Sequence, residues 1–174
     1  IQLSAERLAV KLEGRLDGAD AEALKRGTAT IVNQVQAMKL MVDDFAIYAR
    51  TPRPGQMQRV DVKALLLDVL ALYDNLRPHT SLTLPDGPVV IQGEPTRLRQ
   101  VLHNLLQNAV DAQTGVADPG YRIALETGRG DARLTVEDHG DGFGPDVLAR
   151  AFEPYVTTKT KGTGLGLAIV KKIV

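Results

Sequence analysis

The sequence predicts an α+β protein in which an antiparallel helical hairpin is followed by a two-layer α/β sandwich. Residues 1–51 contain no Pro and place apolar side chains every three or four positions, a spacing typical of helices. Residues 57–174 mix amphipathic helical patterns with short, mainly antiparallel strand patterns. Residues 52–56, which are rich in Pro and Gly, are predicted to link the two parts.

Composition narrows the function classes. The 174 residues contain 21 Lys and Arg against 21 Asp and Glu, so the net charge of zero argues against a nucleic-acid binder that works through a global basic field. There is no Cys and there are only three His, which makes thiolate chemistry and a zinc site poor hypotheses. No apolar run approaches the ~20 residues that a membrane-spanning helix needs. We therefore expect a soluble, intracellular type of chain.

The first helix of the hairpin is predicted from apolar or small residues at Ile1, Ala5, Leu8, Leu12 and Leu16. A break follows at residues 18–20, where Asp20 is the expected N-cap of the second helix. That helix carries an uninterrupted heptad seam formed by Leu24, Thr28, Ile31, Val35, Met38, Val42, Phe45 and Ala49. A homodimeric four-helix bundle would bury both seams, and a hairpin that packs on its own domain is the alternative.

The second part of the chain is predicted to begin with a helix over residues 61–76, capped by Asp61. Short strands follow at 81–84 and 89–92, and a strong helix covers 94–113. Two further strands, 121–127 and 132–138, are joined at residues 128–131 as a hairpin. A Gly-rich stretch then leads into a last helix over 164–174.

A polar stripe on the helix 94–113 is the first candidate site. Asn104, Asn108 and Asp111 fall within about 60° of one another at the 3.6-residue period. Asn and Asp are poor helix formers, so a purely solvated face would more naturally use Lys, Glu or Gln. Their oxygens could complete the shell of a Mg²⁺ ion that also holds phosphates. An ordinary polar face is the alternative.

Two Gly-rich turns are the other candidates. Asp138 ends a strand and is followed by Gly140, Gly142 and Gly144, so an exocyclic amine such as that of adenine could approach its carboxylate, although a plain loop is the alternative. Lys161 precedes Gly162, Gly164 and Gly166 at the start of a helix, where free N–H groups favour phosphate. Between these turns, acidic residues give way to basic ones around apolar anchors, a pattern typical of a lid over a ligand or of a solvated loop.

Taken together, four segments resemble the sensor histidine kinases of two-component systems. RLRQVLHNLLQNAVDA is similar to the N box of that family, DHGDGFG to the G1 box, FEPYVTTK to the F box and GTGLGLAIV to the G2 box. The segments QLSAERL and MVDDFAIYAR are similar to sequences of the nitrogen-regulation sensor kinases of NtrY type. The resemblance implies a dimerisation and histidine-phosphotransfer hairpin at 1–51, an ATP-binding domain of the GHKL (Bergerat) fold from 57 onward, and ATP and Mg²⁺ as cofactors.

The resemblance also implies roles for single residues. Asn108 would coordinate Mg²⁺, and Asn104 one turn earlier would assist catalysis together with Lys159. The carboxylate of Asp138 would bind adenine N6. The other residues that the boxes imply at the nucleotide are Asp111, Gly140, Gly142, Gly144, Phe152, Thr158, Gly162, Thr163, Gly164, Leu165 and Gly166.

The phosphoacceptor histidine of the family does not match any His in the chain. His79, His103 and His139 all lack the His-Glu-x-x-Asn-Pro context. That box would end just before Ile1, and the two strands that follow the G2 helix in the family are also missing after residue 174. We therefore expect a clipped fragment that cannot phosphorylate itself.

The resemblance further implies a response-regulator receiver domain as partner and homodimerisation through 1–51. It implies a cytoplasmic portion of an inner-membrane-anchored bacterial sensor, with any membrane contact made by segments outside this chain. Another GHKL ATPase, such as an anti-sigma serine kinase or a chaperone-like ATPase, would share the nucleotide boxes but not the heptad hairpin directly before them. A non-enzymatic dimeric scaffold would keep the hairpin but let the boxes decay.

Overall fold

The computed structural model describes residues 1–12, 14–49, 57–74, 76–128, 130–159 and 162–174. The predicted linker at 52–56 and Lys161 lie outside the described residues. Helices and sheets are mixed along the chain, which confirms the α+β class. Within the described ranges, no helix combines the length and the apolar character that crossing a bilayer requires.

Two helices, α1 (Gln2–Leu12) and α2 (Gly18–Ala49), form the N-terminal hairpin. At about 1.5 Å per residue α1 is roughly 16 Å long and α2 roughly 48 Å, so α1 can cover only the first part of α2. Ala5 and Thr28 are buried where the two helices meet. The hydroxyl of Thr28 donates to the carbonyl of Leu24 at 2.6 Å, which satisfies this polar group inside the contact.

The start of α2 differs from the prediction. The helix already begins at Gly18, whose φ is +56°, a value that glycine adopts at little cost. Asp20 is therefore not the N-cap. It lies in the first turn, where its carboxylate is close to the positive end of the helix dipole.

The remaining elements, in chain order, are β1 (Gln58–Asp61), α3 (Val62–Leu70), β2 (Thr80–Thr83), β3 (Val90–Gly93), α4 (Pro95–Ala112), β4 (Tyr121–Thr127), β5 (Ala132–Asp138), α5 (Pro145–Arg150) and α6 (Gly166–Ile173). A short 3₁₀ turn, Arg77–His79, precedes β2. The sequence reading missed both β1 and α5. It placed the start of α6 two residues too early.

The strands form two small sheets. β1 pairs antiparallel with β3, whereas β2 pairs parallel with β4, and β4 pairs antiparallel with β5. The strands β2 and β3 are close in sequence but belong to different sheets. The expectation of mainly antiparallel pairing holds for two of the three strand pairs, and the parallel pair arises because α4 lies between β2 and β4 in the chain.

Helix α4 is central to the domain. Tyr121, Ile123 and Leu125 alternate along β4 and are all buried, so one face of this sheet is covered. Leu106 of α4 is fully buried in the same core as Leu66 of α3. The helix also contacts α6 and β5, so its remaining face is held at the meeting point of several elements.

The ends of α3 show how local chemistry sets its length. The carboxylate of Asp61 accepts from the N–H groups of Lys63 at 3.0 Å and Ala64 at 3.4 Å, which confirms the predicted cap. The helix ends at Leu70 rather than at residue 76. Its last turn tightens, because the N–H groups of residues 72 and 73 bond to carbonyls only three residues back.

Candidate functional site

The polar stripe predicted on α4 is present. Asn104, Asn108 and Asp111 are half-buried and follow one another at one-turn spacing. Each of the three side chains forms a hydrogen bond with a distant segment of the chain or with a residue on the same face of α4. The stripe is therefore the floor of a site rather than a freely solvated surface.

Asn104 joins α4 to the start of α6. Its amide Nδ2 donates to the carbonyl of Gly166 at 3.1 Å, and its Oδ1 accepts from Gln100 Nε2 at 2.9 Å. A Cβ on Gly166 would lie 3.8 Å from the Asn104 side chain, so the helix start sits directly against the stripe. The Asn104 amide is consequently held in one orientation.

Lys159 reaches the same stripe from the α5–α6 connection, whose described residues are 151–159 and 162–165. Its ammonium donates to Asn108 Oδ1 at 2.8 Å and to Asp111 Oδ2 at 2.7 Å. The other oxygen of Asp111 accepts from Gln107 Nε2 at 2.7 Å. Amide and carboxylate oxygens that hold an ammonium in this way also suit a hard cation such as Mg²⁺, so the donor set fits the metal that the sequence implied.

The turn after β5 closes against the end of α4. Asp138 Oδ1 accepts from the N–H of Gly140 at 2.8 Å, and the carboxylate stays exposed to solvent. A Cβ on Gly140 would lie 2.6 Å from the carbonyl oxygen of Ala112, so only glycine fits this approach. Burial, and secondarily the charge of Asp138, raises the pKa of Tyr121 above its ordinary value.

The turn before α6 is tied to the α5–α6 connection. The N–H of Tyr155 donates to the carbonyl of Gly164 at 2.9 Å, and the φ values of these residues are +66° and +68°. Thr163 Oγ1 accepts from the N–H of Leu165 at 3.3 Å. Because the Leu165 side chain is fully buried in the core, only its backbone could meet a ligand.

Other candidate residues lie on the outer part of the site. Gly142 and Gly144 have open space where a Cβ would stand, and Phe152 and Thr158 are exposed. Gly162 is tied to the residue that reaches the stripe, since its N–H donates to the carbonyl of Lys159 at 3.2 Å. The structure thus brings the α4 stripe together with Lys159, Gly140 and Gly166. Gly142, Gly144, Phe152 and Thr158 lie at the rim of the site.

The sequence reading missed several residues that support the stripe. Gln100 and Gln107 lie four residues before Asn104 and Asp111, and this i, i+4 spacing was the signal that could have found them. Tyr73 is a further neighbour, and its hydroxyl is 2.6 Å from His103 Nδ1. Burial, followed by the charge of Asp111, raises the pKa of Tyr73.

The arrangement provides three chemically different surfaces along one helix. The exposed carboxylate of Asp138 can accept from an amine at one end. The oxygens of Asn108 and Asp111 can hold a cation in the middle. At the other end, the N–H groups at the start of α6, which has no side-chain cap, could bind an anion.

Comparison with known proteins identifies relatives of this chain. Residues 93–174 match the family described as histidine kinase-, DNA gyrase B-, and HSP90-like ATPase. The C4-dicarboxylate transport sensor protein DctB of Pseudomonas aeruginosa is 37% identical over 88% of this chain and 26% of its own length. The nitrogen regulation protein NtrY of Azorhizobium caulinodans is 36% identical over 99% of this chain and 23% of its own length. The chain therefore spans about a quarter of the length of these curated relatives.

Solved structures of histidine kinases share the fold of this chain. The catalytic domain of the histidine kinase ThkA is 29% identical to this chain and superposes with a TM-score of 0.60. The match covers 68% of this chain and 79% of the ThkA domain. ThkA in complex with the response regulator TrrA covers 98% of this chain and 49% of that one, with a TM-score of 0.67. At 22% identity, this second likeness is one of fold alone.

Proposed function

We propose that this chain, whose residues 93–174 belong to the histidine kinase-, DNA gyrase B- and HSP90-like ATPases, is the dimerisation and ATP-binding part of a two-component sensor histidine kinase. The relationship to NtrY and DctB agrees with the resemblance that the boxes implied. One observation carries the proposal. Two Gly-rich turns and Lys159, which are distant in sequence, meet on the polar stripe of α4.

ATP would lie along this stripe. The Asp138 carboxylate accepts a hydrogen bond from the adenine N6 amine, and the backbone at Gly140, Gly142 and Gly144 lets the base approach. The backbone N–H groups from Gly162 to Gly166 and the start of α6 bind the phosphates. Phe152, Thr158 and Thr163 lie on the segment that covers the nucleotide.

Asn108 is the residue that we assign to Mg²⁺, because its Oδ1 already holds a cation in this structure. Asn108 would hold Mg²⁺ where the ion, when bound, would neutralise charge on the phosphate oxygens of ATP. Asn104, whose amide is fixed between Gln100 and Gly166, would line the site next to the phosphates. Lys159 adds a positive charge that can stabilise the transferred phosphoryl group. Phosphoryl transfer depends mainly on such alignment and neutralisation.

The substrate of the kinase is proposed to be a histidine outside this sequence. Residues 1–51 contain no His, and His103 is bonded to Tyr73 within the ATP-binding part. A response-regulator aspartate would then receive the phosphoryl group, which is the partner that the sequence boxes imply. ThkA, whose fold this chain shares, is itself found in complex with the response regulator TrrA. The parent protein would be a membrane-anchored bacterial sensor whose cytoplasmic portion includes this chain.

A homodimer is proposed through α2. The predicted seam runs along α2 past the part that the shorter α1 can cover. In that uncovered part, the side chains of Ile31, Met38, Val42 and Phe45 are between 44% and 65% exposed. The same seam on a second copy would cover these side chains as a four-helix bundle. Phe45→Lys should shift the molar mass measured by light scattering from two chains to one, whereas Ser4→Lys on the exposed face of α1 should not.

Transfer of labelled phosphate from ATP tests the kinase proposal. We expect acid-labile label on the full-length protein and none on this chain alone, because phosphohistidine is acid-labile. Asn108→Ala in the full-length protein should abolish the label, while Asn33→Ala on the exposed face of α2 should keep it. Label on the isolated chain would refute an acceptor outside it, and acid-stable label would refute histidine as the acceptor.

A further inference from the structure

The contact between Lys159 and α4 joins residues that are 48 and 51 positions apart in the chain. The ammonium lies between Asn108 Oδ1 and Asp111 Oδ2, and the Lys159 and Asp111 side chains are 37% and 35% exposed. Water and small ions can therefore reach this contact. Both acceptors are oxygens, and the ammonium approaches each of them within 2.8 Å.

An ammonium and a divalent cation cannot share these two oxygens. They would have to occupy the same position between the two oxygens, and two positive charges within a few ångströms repel each other. Asp111 cannot turn away easily, because Gln107 holds its second oxygen at 2.7 Å. The position between Asn108 and Asp111 thus takes either Lys159 or a metal ion.

The α5–α6 connection is held at its base independently of this contact. The Tyr155–Gly164 backbone bond closes the base, and the N–H of Lys159 donates to Thr157 Oγ1 at 3.0 Å nearer the tip. A non-glycine residue at a φ of +66°, such as Tyr155, is a local strain that the surrounding structure must hold. Loss of the Lys159 contact would therefore free residues 157–159 from α4 while the Tyr155–Gly164 base stays in place.

We propose that Lys159 is an internal cation which occupies the position between Asn108 and Asp111 whenever no metal ion is bound there, and which fastens the α5–α6 connection to α4. This inference rests on the proposed function and adds a regulatory step to it. When a metal ion with nucleotide enters, Lys159 exchanges its two acceptors on α4 for phosphate oxygens. Metal binding and release of the connection are thereby coupled, because one position serves both cations.

Binding of Mn²⁺ in the absence of nucleotide tests this exchange, since Mn²⁺ accepts the same oxygen ligands as Mg²⁺ and is detected by electron paramagnetic resonance. Lys159→Met removes the competing charge but keeps most of the side-chain volume. We expect this variant to bind Mn²⁺ about tenfold more tightly than the wild type, the size expected for two charge-assisted hydrogen bonds at a partly exposed site. Lys171→Met, on the exposed end of α6, is the matched control and should leave Mn²⁺ affinity unchanged.

Hydrogen exchange of the wild-type chain gives a second readout that needs no variant. Saturating Mn²⁺ should accelerate amide exchange in the outer part of the connection around residues 157–159, and should leave β4 unchanged. Unchanged or weaker Mn²⁺ binding in Lys159→Met would overturn the proposal, as would a connection that becomes more protected when Mn²⁺ is added.

Failure of the proposed function has a different signature. If neither the wild type nor Lys159→Met binds ATP, the kinase assignment fails, but tighter Mn²⁺ binding in the variant would still support the internal cation. If ATP binds to the wild type and Mn²⁺ affinity does not respond to Lys159→Met, the internal cation fails and the assignment stands.

Discussion

Gly164 allows a sharp test of the turn that precedes α6. Replacing it with Ala would place a Cβ 2.6–2.8 Å from backbone atoms of Tyr155 and Val156, at a φ of +68°. The left-handed backbone alone costs a non-glycine residue about 1–2 kcal/mol. The contact with backbone atoms, which cannot rotate away, should add about 1–3 kcal/mol. We expect Gly164→Ala to destabilise the chain by about 2–5 kcal/mol.

Gly142→Ala is the matched control. Gly142 has nearly the same φ, +69°, but open space where the Cβ would stand. The left-handed penalty and the loss of glycine entropy in the unfolded chain are common to both variants, so the difference between them isolates the contact with Tyr155. Urea unfolding without nucleotide, followed by circular dichroism, measures both free energies of unfolding. A Gly164→Ala variant no less stable than Gly142→Ala would refute the reasoning.

Three further changes test the frame around the site. Asp61→Ala removes the cap of α3 and should cost about 1–2 kcal/mol in thermal unfolding, whereas Asp61→Asn should retain most of the stability. Gln113 is only 4% exposed and exchanges two hydrogen bonds of 2.8 Å with Gly120, so Gln113→Ala should cost about 2–3 kcal/mol, and a loss below about 0.5 kcal/mol would contradict this role. Burial, and then the charge of Asp111, raise the pKa of Tyr73 above 10.0. The free energy of unfolding should therefore fall as the pH rises above about 10. Tyr73→Phe should flatten that fall when unfolding is measured as a function of pH.

The sequence predicted those features that depend on local periodicity. The stripe of Asn104, Asn108 and Asp111 follows from the 3.6-residue period of a helix whose other face is apolar. The cap at Asp61 and the β4–β5 hairpin follow from side-chain chemistry and alternation over a few residues. These features need no knowledge of how distant segments meet.

Long-range contacts lay beyond such reasoning. Nothing in the pattern around Lys159 specifies that its ammonium reaches Asp111, 48 residues earlier. The close approach of Gly140 to Ala112 and the parallel pairing of β2 with β4 depend equally on tertiary packing. Helix α3 ended early for a related reason. The apolar pattern continued past Leu70, but the chain turned so that Leu76 could enter the core.

The central claim is that the polar stripe of α4 binds ATP together with Mg²⁺, and Asn108 is its most direct test. Isothermal titration calorimetry should show that Asn108→Ala weakens binding of Mg²⁺-ATP by about 10- to 100-fold, the loss expected for one charge-assisted contact. Asn33→Ala, the same change on the exposed surface of α2, should bind as the wild type does. Wild-type affinity and an unchanged Mg²⁺ dependence in Asn108→Ala would contradict the account.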